Sequence, residues 1–155
     1  MKNDQYTTFE DVAKPAMQRV MTALKAELQL LGFECDDPID IDHDVERGVG
    51  VDIHHPAADT PIGLELMLTD GDERDFTSDP EHPKCGLMLS VVGPGGAFLG
   101  EWCPNNYSDD VGTTDPREIV RLVDLIFPVH LARSIQERIA AWAERQSEIA
   151  TAPHP

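Results

Sequence analysis

Apolar residues recur at spacings of three and four over the first part of the chain: Phe9, Val12, Ala13, Ala16, Met17, Val20, Met21, Leu24, Leu28 and Leu31. That is the stripe of an amphipathic helix. Pro15 suits a first helical turn, since deeper inside it would delete a backbone hydrogen bond. The spacing therefore predicts a helix over 15–31, preceded by a turn capped at Thr8 and ended by Gly32. The pattern then changes to period two. Val49, Val51 and Ile53 alternate with Gly50, Asp52 and His54, and Ile62, Leu64, Leu66 and Leu68 with Gly63, Glu65, Met67 and Thr69. Cys85, Leu87, Leu89 and Val91 alternate with Gly86, Met88, Ser90 and Val92, and Phe98 and Trp102 flank Gly100 on a last strand near 97–103. Strands with one apolar side belong to an antiparallel sheet covered on one face. A further short strand fits near 33–35 or 39–42.

Helical spacing returns at the end. Asp115-Pro116-Arg117-Glu118 supplies an N-cap, a first-turn proline and a first-turn carboxylate. Ile119, Val120, Val123, Ile126 and Phe127 form one apolar face. Pro128 should break or kink this helix, after which Leu131, Ile135, Ile139 and Trp142 continue at helical spacing. The expected fold is α+β: an N-terminal helix, an antiparallel meander of four strands (five with the short one), and two C-terminal helices on one sheet face. Residues 1–148 read as a single domain, which suits a chain of 155 residues, and 149–155 as a disordered tail.

Composition adds little until charge is placed along the chain. Apolar residues make up 41% and charged residues 26%, ordinary for a folded domain. The formal charge is −17, and residues 1–33 and 116–155 are each neutral. The segment 34–115 holds 20 of the 29 acids against Arg47, Arg74 and Lys84, so the whole surplus belongs to the meander and its loops. A one-signed patch steers oppositely charged partners, and it repels phosphates. Direct nucleic-acid binding is therefore not expected. No stretch approaches the length of a membrane span, the N-terminus has no signal-like apolar core, and the three cysteines are odd in number and widely spaced. A cytoplasmic protein with reduced thiols is expected.

Motifs for chemistry are weak. In the acidic stretch 70–84, Asp70, Asp72 and Glu81 take the first, third and twelfth places of a calcium loop. Arg74 and Asp75 stand where a ligand and a glycine belong. Asp40, Asp42 and Asp44 alternate, but Val45 and Val51 occupy the glycine and glutamate places. His54-His55 point to opposite faces of a strand, and neither they nor His82-x-x-Cys85 have a second close ligand pair for zinc. Cys103, beside Trp102 and Pro104, sits among negative charge that raises a thiol's pKa and blunts it as a nucleophile. Gly93-Pro94-Gly95-Gly96 lacks the lysine and helix start of a phosphate loop and reads as a hairpin turn. No metal, cofactor or catalytic residue is assigned.

What remains is a non-enzymatic module that occupies a basic surface of a partner protein, as an inhibitor, an immunity-type antidote or a mimic of nucleic-acid charge. Such a partner could itself bind nucleic acid. The expected docking residues are Asp36, Asp37, Asp40, Asp42, Asp44, Asp70, Asp72, Glu73, Asp75, Asp79 and Glu81. They would lie on the sheet face and loops opposite the helices. In layout alone, a leading helix, a sheet and a closing helix in a small acidic chain resemble bacterial secretion chaperones. That resemblance implies a chaperone or adaptor that binds through apolar surface and pairs as a homodimer. An enzyme of unrecognised type is the remaining alternative.

Overall fold

The computed structural model describes residues 2–42, 47–70, 85–102, 113 and 115–151. In chain order these form helix α1 (Lys2–Leu30) and strands β1 (Glu34–Cys35), β2 (Ile39–Asp42), β3 (Arg47–His54), β4 (Ile62–Asp70), β5 (Cys85–Val92) and β6 (Phe98–Trp102). Helices α2 (Pro116–Asp124) and α3 (Pro128–Thr151) follow. The fold is α+β, with an antiparallel sheet and all three helices packed on it. There are six strands because both short segments pair, and they share one edge of β3. Glu34 and Cys35 stand opposite His54 and Ile53, while Ile39 through Asp42 run opposite Gly50 through Arg47. From β3 the order continues β4-β5-β6.

Helix α1 starts at Lys2, well before the expected position, and carries Pro15 inside it. Proline there strands the carbonyl of Asp11. Pro15 and Asp11 are both exposed, so water can replace the missing N–H. The buried stripe runs unbroken past the proline through Phe9, Ala13, Ala16, Met17, Met21, Leu24 and Leu28, whereas Val12 faces solvent. The helix ends at Gly32, whose φ of 98° is left-handed. There the Gly32 N–H donates to the Gln29 carbonyl and the Phe33 N–H to the Leu28 carbonyl, satisfying two otherwise orphaned acceptors.

The register explains the core. Val49, Leu66 and Leu89 lie side by side on three strands, as do Val51, Leu64 and Val91. Together with the α1 stripe, Ile119 and Val123 of α2, and Ala132, Ile135, Ile139 and Trp142 of α3, they form one buried cluster. The last strand breaks simple alternation. A bulge between Val91 and Val92 leaves Leu99 as the extra residue. Gly100 and Trp102 then share the helix side with Val91 and Leu89, while Phe98, opposite Val92, turns to the other side and is 61% exposed. Period two alone would have put Phe98 and Trp102 together.

Helix α2 is capped by Asp115, whose Oδ1 accepts the Arg117 N–H at 3.0 Å, with Pro116 following as the first helical residue. It stops at Asp124, and Pro128 opens α3 instead of kinking a continuous helix. Phe127 therefore falls in the junction, where it is exposed rather than part of the α2 apolar face. Helix α3 continues to Thr151, into the stretch expected to be tail.

Candidate functional site

Strand β2 reads Ile39-Asp40-Ile41-Asp42, and its register decides where the acids go. Asp40 and Asp42 stand opposite Val49 and Arg47, on the face that α1 covers, whereas Ile39 and Ile41 stand opposite Gly50 and Gly48 on the other face. A one-sided strand ordinarily turns its apolar residues to the core. Two features stabilise the inversion. On the helix side, Lys14 Nζ lies 2.9 Å from Asp40 Oδ2 and 2.9 Å from Glu10 Oε1, and Arg47 reaches Glu10 at 3.2 Å and Asp42 at 3.6 Å. Burial lowers the pKa of Lys14, but its hydrogen bonds to Asp40 and Glu10 outweigh this and hold it above the usual lysine value. On the open side, the glycines give the isoleucines a flat bed: Ile41 Cδ1 lies 2.6 Å from where a Gly50 Cβ would stand.

The expected docking residues are thus divided. Asp36 meets His54, with Oδ1 3.0 Å from Nε2, and its N–H donates to the Asp52 carbonyl. His54 lies on the open face, opposite Glu34. Asp37 turns to Lys25 of α1, which holds its carboxyl below the usual range by hydrogen bonding and charge. Asp40 and Asp42 turn to Lys14 and Arg47, as above. All four carboxylates remain more than half exposed, but each already has a partner from its own chain. Asp70 closes β4 opposite Cys85. Asp44, Asp72, Glu73, Asp75, Asp79 and Glu81 lie outside the described residues, as do His82 and Cys103.

The open face carries a groove of about 330 Å³ between β2, β3 and β4. Its floor is Gly50 and Gly63. Ile39 and Ile41 form one wall, and Asp52 and Glu65 the other. Gly50 pairs with Glu65 and Asp52 with Gly63, so each acid stands across the ladder from a glycine. Glu65 Oε1 lies 3.8 Å from where a Gly63 Cβ would be, which leans its carboxylate over Gly63 and toward Asp52. Asp52 and Glu65 are thus diagonal neighbours on the open face, and only the Glu65 carboxylate comes within 4 Å of the Gly63 position. Neither has a hydrogen-bond or ion-pair partner among the described residues. Neither stands out in the sequence against the denser acids of 36–44 and 70–81. A signal existed: Gly50-Val51-Asp52 and Gly63-Leu64-Glu65 repeat one Gly-aliphatic-acid pattern on adjacent strands. Antiparallel pairing of two such triplets brings their acids to one diagonal.

The other reactive groups lie apart. His54 faces Asp36, while the His55 ring packs 6.4 Å from that of Phe33 and 6.5 Å from that of Trp142, its Nδ1 accepting the Ala57 N–H. Burial pushes the Cys35 thiol up, more than nearby Lys25 pulls it down, and Cys85 is buried. Among the described residues no three His, Cys, Asp or Glu side chains are placed to hold a metal ion, and no helix is long and apolar enough to cross a membrane. No family model, curated protein or solved structure matches the chain.

Proposed function

We propose that the chain is a non-enzymatic protein-binding module that occupies a basic surface of a partner protein through the open face of its sheet. The observation that carries this reading is the pair Asp52 and Glu65, without a partner among the described residues and facing an isoleucine wall across the groove, while the more conspicuous aspartates are tied to Lys14, Lys25, Arg47 and His54. Unpaired carboxylates beside apolar surface favour a cationic partner, because association neutralises them and covers Ile39 and Ile41 in the same step. An inhibitor, an antidote or a mimic of nucleic-acid charge would each use such a surface, against a nucleic-acid-binding protein in the last case.

The test is binding of the full chain to immobilised peptides, basic ones that alternate with aliphatic residues against acidic controls of equal length. Affinity for the basic set should fall about tenfold or more between roughly 0.05 M and 0.5 M NaCl. Reversing Asp52 and Glu65 to lysine should abolish it. Reversing Asp72, Glu73 and Asp75 measures the share of the acidic stretch. Basic peptides binding no better than acidic ones would end the proposal. A second reading, a chaperone-like adaptor, draws on Leu125, Phe127 and Val129, all exposed at the α2–α3 junction. It requires binding that is insensitive to salt and lost in Phe127→Ser.

A further inference from the structure

Strand β2 borders the open face, and we infer that its outer edge takes one further strand from the partner. That strand is an extended segment, antiparallel to Ile39–Asp42, in which basic and aliphatic residues alternate. This rests on the docking role proposed for the open face and names how the partner's chain is held.

The backbone is the first argument. Strand β2 pairs with β3 alone. The Asp36 N–H donates to the Asp52 carbonyl, so Asp52 turns its backbone groups to the edge of β3 that β1 and β2 share. Gly50 and Gly48 are in phase with Asp52 along β3 and do the same, which makes Ile39 and Ile41 their hydrogen-bonded partners. Asp40 and Asp42 therefore turn their N–H and C=O outward, where they meet no backbone partner among the described residues. Both residues are exposed, as is Ile39, so the edge is open to another chain. A row of such groups is a template for an added strand. The other strand pairs of the sheet are antiparallel, the more stable arrangement per residue.

Side chains then choose the strand. Directly opposed residues of an antiparallel pair point to the same face. A residue opposite Asp40 or Asp42 lies on the helix side, where the described ion pairs set three carboxylates, those of Glu10, Asp40 and Asp42, against Lys14 and Arg47. A lysine or arginine there adds a third positive charge. Residues opposite Ile39 and Ile41 lie on the open side, where aliphatic side chains cover them. A second copy of β2 fits worse. Added antiparallel to the same sheet, it would set aspartate against aspartate.

The experiment is an NMR titration of the full chain with an acetylated, amidated peptide of sequence Ile-Lys-Ile-Lys-Ile. Two further versions carry a methyl group on the backbone nitrogen of both lysines or of the central isoleucine. The parent peptide should slow solvent exchange of the Asp40 and Asp42 amides about tenfold at saturation, and bring its Hα atoms close to those of Ile39 and Ile41. Methylated lysines lose the N–H groups that face Asp40 and Asp42 and should bind about tenfold more weakly or worse. The isoleucine N–H points away from β2, so its methylation should be tolerated. Asp40→Pro removes one outward N–H at an edge position that tolerates proline and should lose the peptide, whereas Asp40→Asn keeps the N–H and should weaken it less. Should Asp40→Pro not fold, the methylated peptides carry the test on the unaltered chain. Equal affinity for the two methylated peptides, loss confined to the isoleucine version, or unchanged exchange at Asp40 in the saturated complex would each overturn the inference. Exchange at Asp40 that slows with protein concentration alone would give the edge to a second copy and overturn it too. If basic peptides bind while these amides exchange freely, the added strand fails and the docking proposal stands. If no basic peptide binds, the docking proposal has failed first.

Discussion

Two glycines show how differently the same residue can serve in one sheet. A Cβ on Gly48 would stand 1.8 Å from the Leu66 carbonyl oxygen and 2.8 Å from Met67 Cα, both backbone atoms that cannot swing aside. Gly48→Ala should therefore cost about 3 kcal/mol, the upper part of the usual overpacking range. Gly63 has room, and its backbone is in no left-handed conformation. Gly63→Ala should be neutral or stabilising by about 0.5–1 kcal/mol, because alanine gives up less chain entropy on folding. Urea unfolding of both variants checks the pair, and similar midpoints would contradict it. None of this contrast was legible in the sequence, where both residues merely occupy polar-phase positions. Close approach of a neighbouring backbone is a property of three dimensions. Asp52 and Glu65 were hidden for a related reason, because their diagonal placement depends on register, and sequence alternation specifies a face but not an opposite number.

At the scale of elements, the strands were legible because period two survives wherever one face is buried, and β3, β4 and β5 each bury theirs. The α2 start was legible because Asp115-Pro116 is a local signal that needs no tertiary context. Strand β2 was only half legible. Its alternation is plain, but its polarity is inverted by cations that come from distant sequence, Lys14 and Arg47. Pro15 misled for the opposite reason, since a local rule gave way to a buried stripe that continues on both sides of it. The ion pairs that fasten these elements have a defined pH range. Asp37 and Asp115 are held below the usual carboxylate value, by Lys25 and Arg117 respectively. Their contribution is present above the unfolded value of about 4 and is lost as pH falls through the lower folded one. Lys14 is held above its usual value, so its contribution is complete below about 10.4 and is lost as pH rises past that point. The gap in melting temperature between wild type and Asp37→Asn should close below about pH 4, and that for Lys14→Met above about pH 10.4. Gaps independent of pH would show that the substitutions act through packing instead.

Considered whole, the molecule separates two uses of acid. Along the seam between α1 and β2, carboxylates join elements to one another; over β3 and β4, a smaller set is left for the outside. The −17 surplus seen in the sequence did not distinguish these, because counting charges ignores which of them the chain consumes itself. The placement of β2 also bears on solubility. It is a rim strand with isoleucines on one side, a hazard for stacking with the rims of neighbouring molecules, and its two aspartates are the guard against that. Asp40→Asn combined with Asp42→Asn should leave the monomer folded yet turn it into a nucleus for filaments, read by thioflavin fluorescence and light scattering. The four residues of β2, of which Ile39 and Ile41 line the groove, would then be the point at which the protein begins to polymerise.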